Sequence, residues 1–321
     1  VADGLLGWLE RRAARPRPAG RHRRWWIAAL LLAASAGGIV AIRAASAPRI
    51  VVGSKNFTEQ EILGEIAAQQ LERRLGARVT RTLDIGGTLL AHEALVAGEI
   101  DLYPEYTGTA LTAILKLPAA TDPKAVFDTV AKEYRSRWKL VWLSPLGFDD
   151  TFAMVIRGGD ARSSGIATLS QAAQWKKGWV LGVGYEFLRR PDGLAGLQKT
   201  YALPLEGTPK TMDLGLLYAA LEQGQVDLVA ANSTDGLLAE RDFKVLEDDR
   251  KYFPPYEAAF VVNEGLFSRE PKARAALEEL SGKLTTPIMQ RLNAQVVGKH
   301  RRPTDVAAEF LDSLYTRRAV P

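Results

Sequence analysis

Residue types that usually carry catalysis are scarce in this sequence. Its three histidines are His22 in an arginine-rich N-terminal stretch, His92 inside an apparent helix, and His300 in a basic stretch, so a histidine-based triad would have to recruit one of the last two. No Gly-x-Ser-x-Gly elbow, P-loop or His-Glu-x-x-His zinc motif is present, and His92-Glu93 lacks the second histidine. The absence of cysteine removes disulfides, thiolate metal sites and thiol nucleophiles. Glu105 is the carboxylate that an enzyme reading would enlist as a base, and Gly86-Gly87-Thr88 is a helix entry that could meet a phosphate. What stands out instead is binding chemistry. Tyr103-Pro104-Glu105-Tyr106-Thr107-Gly108-Thr109 puts two tyrosines and two threonines at a strand end, where open α/β sheets take their ligands. Phe152 and Tyr256, the latter after Pro254-Pro255, add aromatic faces at two further loop positions. Such faces attract cations that cannot hydrogen-bond, quaternary ammonium groups above all.

These side chains need elements to position them, and from Arg49 onward the chain alternates short β-rich runs with helical stretches, the pattern of an α/β fold. Ile50-Val51-Val52 reads as a strand ending at Gly53. Thr58-Glu59-Gln60-Glu61 reads as a capping box opening a helix, with apolar Ile62, Leu63, Ile66, Leu71 and Leu75 at helical spacing and Gly76 as its stop. Leu140–Leu143, Thr151–Ile156 and Ala258–Val262 are further apolar strands, followed by helical stretches near 270–281, 285–297 and 304–317.

An internal repeat organises this series. Leu95-x-x-Gly98-x-Ile100-Asp101-Leu102-x-x-x-Tyr106-Thr107 recurs as Leu221-x-x-Gly224-x-Val226-Asp227-Leu228-x-x-x-Asn232-Ser233, an offset of 126, and Val51-Val52-Gly53 is answered by Val180-Leu181-Gly182 at 129. Two lobes of one design are expected, 48–150 with 258–321 and 151–257, joined by two crossing strands and able to close on a ligand.

The net charge of +5 is unevenly placed: residues 1–47 hold eight arginines against Asp3 and Glu10, a surplus of six, which leaves the remainder at −1. A nucleic-acid partner, which needs a basic face in the folded part, is not implied. The arginines precede eighteen uncharged residues, Trp25 to Ile42, and Ala45-x-Ala47 has the form of a signal-peptidase site, although Pro48 follows it directly. The expectation is a basic leader that exports the rest of the chain, as a cleaved signal or a retained membrane anchor. Arg23-Arg24 also permits twin-arginine export.

The ordered set Gly53-Ser54-Lys55-Asn56-Phe57-Thr58-Glu59-Gln60, Gly86-Gly87-Thr88, Gly98 to Thr109, Arg190-Pro191-Asp192-Gly193 and Leu246-Glu247-Asp248-Asp249 with Pro254-Pro255-Tyr256 resembles the substrate-binding proteins of osmoprotectant ABC transporters. The resemblance runs from about residue 49 to about 315. It implies a two-lobed periplasmic-binding-protein fold of type II, no reaction and no cofactor. The ligand it implies is a quaternary ammonium compound such as glycine betaine, choline or carnitine, held in an aromatic box. By motif, the box falls on Tyr106, Phe152 and Tyr256, with Asn232 at a position commonly tyrosine, and the ligand carboxylate falls to Lys55, Thr109 and Arg190. Phenylalanine at 152 keeps the ring but loses a hydroxyl, while Asn232 removes a wall. A desolvated cation–π contact is worth ~2 kcal/mol and an exposed one ~0.5–1, so the missing wall predicts a roughly five- to thirtyfold weaker betaine site. A low-affinity binder, or one whose ligand has become more polar, is expected; a ligand-sensing adaptor on the same fold is the alternative. The implied partners are a permease and, through the leader, the membrane; the protein is expected as a monomer in the periplasm or on the outer face of the cytoplasmic membrane.

Overall fold

The computed structural model describes residues 49–316; the basic leader and its apolar run lie outside the described residues. Among the described residues no helix is long and apolar enough to cross a membrane. Among the described residues ten strands form two five-stranded sheets. They are β1 (Arg49–Gly53), β2 (Arg78–Thr82), β3 (Leu102–Tyr106), β4 (Leu140–Trp142), β5 (Phe152–Arg157), β6 (Leu181–Val183), β7 (Lys210–Thr211), β8 (Leu228–Asn232), β9 (Phe243–Val245) and β10 (Ala258–Asn263). The first sheet runs β2-β1-β3-β10-β4 and the second β7-β6-β8-β5-β9.

The two sheets share one plan. β1 is parallel to β2 and β3, with β10 antiparallel to β3 and β4; β6 is parallel to β7 and β8, with β5 antiparallel to β8 and β9. Val52 pairs with Leu102 in one and Leu181 with Leu228 in the other, which is the register the repeat predicts. Its two aspartates do the same backbone work: Asp101 N donates to Val51 O at 2.7 Å and Asp227 N to Val180 O at 2.8 Å. Gly98 and Gly224 both sit at positive φ, 74° and 69°, where a side chain would be strained, so both stop their helices as the sequence suggests.

Each sheet takes its antiparallel strand from across the molecule. The chain leaves the first sheet after β4 and returns to it as β10, and the two crossing segments pair where Asp149 meets Glu257. Asp150 N donates to Tyr256 O at 3.1 Å and Tyr256 N to Asp149 Oδ2 at 2.7 Å, tying the crossings together at the hinge.

The helix Thr58–Leu75 is buried over most of its surface because the helices Lys272–Glu278, Thr286–Val297 and Pro303–Thr316 all pack on it. Its glutamines anchor these late elements: Gln70 Nε2 donates to Ala276 O at 2.7 Å and Gln69 Nε2 to Thr304 O at 2.9 Å. The expected capping box does not form. Phe57 is the N-cap and Thr58 already helical, so neither Thr58 nor Glu61 stands at the position a capping box requires. His92 is a core residue, packed edge-on to Tyr134 and Trp138 with its pKa pushed down to about 4 by burial, so it is neutral at physiological pH.

Candidate functional site

One cavity of about 470 Å³ lies between the sheets, and all seven residues singled out from the sequence line it. Lys55 follows β1, Tyr106 closes β3 and Thr109 lies in the turn of helix after it; Phe152 opens β5, Asn232 closes β8, Arg190 ends the short helix Tyr185–Arg189, and Tyr256 precedes β10. Strand ends and crossings therefore converge on the cavity from both halves of the chain.

At one end Arg190 organises a buried polar cluster. Its Nε and Nη2 hold the Asp192 carboxylate at 3.0 and 2.5 Å, and Nη1 donates to Thr109 Oγ1 at 2.9 Å across the cleft. The Tyr256 hydroxyl donates to the same carboxylate. Burial disfavours the charge on Asp192, but the guanidinium outweighs it and keeps the acid below its ordinary range; Arg190 in turn stays charged. The guanidinium lies over the rings of Phe152, 5.0 Å away, and Tyr256, 5.6 Å away. Gly108 makes this packing possible, since a Cβ there would come within 2.8 Å of the Tyr256 ring.

In the middle stands Tyr106, stacked against Phe57 at 6.4 Å, with the Lys55 ammonium 4.6 Å from its ring centroid. Phe57 was within a recognised motif but carried no assigned role; its ring completes this wall. Lys55 Nζ is ion-paired to Glu105 Oε1 at 2.6 Å, with both side chains buried. Glu105 also accepts from the Tyr103 hydroxyl and from Tyr106 N. It is fully committed beneath the cavity wall, which disposes of it as a general base.

At the far end the lining becomes acidic. Glu59 accepts from the Tyr106 hydroxyl at 2.6 Å and from Asn293 Nδ2 at 3.0 Å; Asp150 accepts from the Thr234 hydroxyl at 2.8 Å; Asp235 accepts from Leu237 N at 3.2 Å. Burial raises all three carboxyls, mutual repulsion adds to the rise on Glu59 and Asp150, and Asp235 reaches about 6. None of these three was assigned to the site from the sequence. Glu59 lies inside the Gly53–Gln60 motif but carried no assigned role, and Asp150 and Asp235 come from separate segments.

Gly86-Gly87-Thr88 meets a carboxylate of the chain itself. Glu186 Oε1 accepts from Thr88 N at 2.7 Å and Oε2 from its hydroxyl at 3.1 Å, a negative charge at a helix start. A Cβ on Gly87 would come within 2.5 Å of the Glu186 carboxylate, which would have to shift. A further pair of bridges lies on the other side, where Gln290 Nε2 donates to Ser233 O and Asn293 Nδ2 to Thr234 O. The two halves are therefore held together around the cavity.

Comparison with known proteins fits this geometry. Residues 48–313 match the family described as the substrate binding domain of ABC-type glycine betaine transport systems. The chain is 36% identical over 266 residues to the ergothioneine transport permease/ergothioneine binding protein EgtU of Helicobacter pylori (strain G27), covering 83% of this chain but only 47% of that protein, so it spans about half the length of this relative. It is 35% identical over 284 residues to the glycine-betaine-binding protein of Pseudomonas aeruginosa, covering 85% of this chain and 90% of that one. Among solved structures, a glycine betaine/carnitine/choline ABC transporter protein superposes with a TM-score of 0.70 at 30% identity, covering 83% of this chain and 98% of that one. The chain thus belongs to the substrate-binding domain family of ABC-type glycine betaine transport systems, whose members bind a small solute outside the cytoplasm for a permease and are not enzymes.

Proposed function

We propose that this protein captures a zwitterionic quaternary ammonium solute by closing its two lobes, 48–150 with 258–321 and 151–257, and presents the closed form to an ABC permease. The reading is supported by one observation above others: seven residues from both halves surround a single cavity, and Arg190 reaches across it to Thr109. Tyr106, Phe152 and Tyr256 offer aromatic faces to the ligand's methylated ammonium, while Lys55, Arg190 and Thr109 offer donors to its carboxylate. Relatives named for glycine betaine and ergothioneine support the ligand class. Asn232 leaves the box one ring short, so glycine betaine binds weakly. The protein works as a monomer, tethered to the membrane or released into the periplasm according to the fate of its basic leader.

Calorimetric titration with glycine betaine, carnitine, choline and proline betaine tests this. Saturable binding at micromolar to millimolar level, weakened by Tyr106→Ala, is the expected result. No heat with any quaternary ammonium compound overturns the reading, and nanomolar glycine betaine affinity overturns the account of Asn232.

A further inference from the structure

The cavity is polarised. Its cations are already matched within the chain, Lys55 by Glu105 and Arg190 by Asp192, whereas the carboxylates of Glu59, Asp150 and Asp235 make no ion pair among the described residues. Glu59 and Asp150 are 3% and 8% exposed, so water compensates them poorly. Asn293, only 4% exposed and lining the same end, supplies an independent sign. Both of its amide hydrogens go to acceptors, Glu59 Oε2 and Thr234 O, which fixes the orientation of the amide and leaves its buried Oδ1 with no donor. This end of the cavity therefore holds an excess of hydrogen-bond acceptors. A methylated ammonium has no hydrogen to give them.

We propose that the acidic pole formed by Glu59, Asp150, Asp235 and Asn293 is a second recognition subsite, and that it receives an N–H-bearing cationic group of the ligand. The solute is then a betaine extended by an amine or guanidine, carrying one more positive charge than glycine betaine. This rests on the reading of the cleft as a betaine site and specifies its substrate class. Donors on the ligand satisfy acceptors that the protein leaves open, and its charge offsets carboxylates that burial otherwise penalises.

The test uses the full chain and three probes: glycine betaine, lysine betaine, and norleucine betaine, which is lysine betaine with its terminal ammonium replaced by hydrogen. Lysine betaine is expected to bind at least tenfold tighter than norleucine betaine, although the latter is the more apolar ligand. Asp150→Asn and Glu59→Gln, each checked for an unfolding transition like that of the parent, are each expected to reduce this ratio at least fivefold. If glycine betaine binds but norleucine betaine equals or exceeds lysine betaine, the acidic subsite is wrong and the betaine cleft stands. A ratio unmoved by both substitutions also overturns the subsite. Failure of all three probes to bind overturns the betaine reading together with this extension of it.

Discussion

The two sheets share strand order and register, yet their cleft ends carry different chemistry. Carried through the repeat, Lys55, Glu105, Tyr106 and Thr109 of the first half correspond to Gly184, Ala231, Asn232 and Asp235 of the second. The aromatic residue has also changed strands. Tyr106 at the end of β3 faces Ala258 of β10, whereas Asn232 at the end of β8 faces Phe152 of β5. In each of these two strand pairs one cleft-end position is a ring and its partner is not. The backbone plan is duplicated, and the ligand chemistry is divided between the copies. The first half holds a buried ion pair under its ring, while the second holds an acid at the corresponding cleft end.

The comparison breaks most visibly at the ion pair. Glu105→Ala leaves the Lys55 ammonium buried and unpaired and is expected to destabilise the protein by about 3–5 kcal/mol, while pairing Glu105→Leu with Lys55→Met restores most of the loss. Denaturant unfolding of the single and double variants measures this; a cost below about 1 kcal/mol for the single variant means the pair is no more structural than its Gly184–Ala231 counterpart. Next comes the asymmetry of the rings. Tyr106→Ala is expected to weaken betaine binding by about thirtyfold, as for loss of a desolvated cation–π contact of ~2 kcal/mol, and Asn232→Ala by less than about threefold. Equal losses at the two positions, in calorimetry, would remove the distinction between the halves.

Asn232→Tyr sharpens the same contrast in the opposite direction, with glycine betaine binding roughly five- to thirtyfold tighter. The last effect concerns Asp235, whose carboxyl burial pushes up to about 6 from its ordinary 3.8. Between about pH 4 and 6 the folded protein holds a proton there that the unfolded chain has lost, so this group's contribution to stability falls as pH rises through that window. At pH 7 its charge is a standing cost of at most about 3 kcal/mol. Asp235→Asn is therefore expected to stabilise the unliganded protein at pH 7 and to make little difference near pH 4. Thermal unfolding across that range reads the result, and a variant less stable at pH 7 would contradict it.

Much of this was legible because it is local. The glycine stops at 76, 98 and 224, the apolar strands and the repeated aspartates depend on neighbours in sequence, and each reappears where its pattern placed it. The seven motif residues could be named because the motifs carry them, and all reach one cavity. The capping box failed for the complementary reason. Thr58 and Glu61 have the right spacing, but the helix begins one residue earlier than the pattern suggests, with Phe57 at the cap position.

By itself, then, the sequence determined a duplicated α/β plan, the residues that converge on the cleft and the solute-binding class, since hydrophobic period, glycine conformation and motif are written along the chain. Tertiary structure alone decided how those residues are used. Lys55 is matched by Glu105, Arg190 by Asp192, and Thr88 by Glu186 from the other half, while Glu59, Asp150, Asp235 and Asn293 gather into one pole from segments as much as 234 residues apart. Charge and hydrogen bonding act through space, and the balance of a site is fixed only when the chain has folded around it.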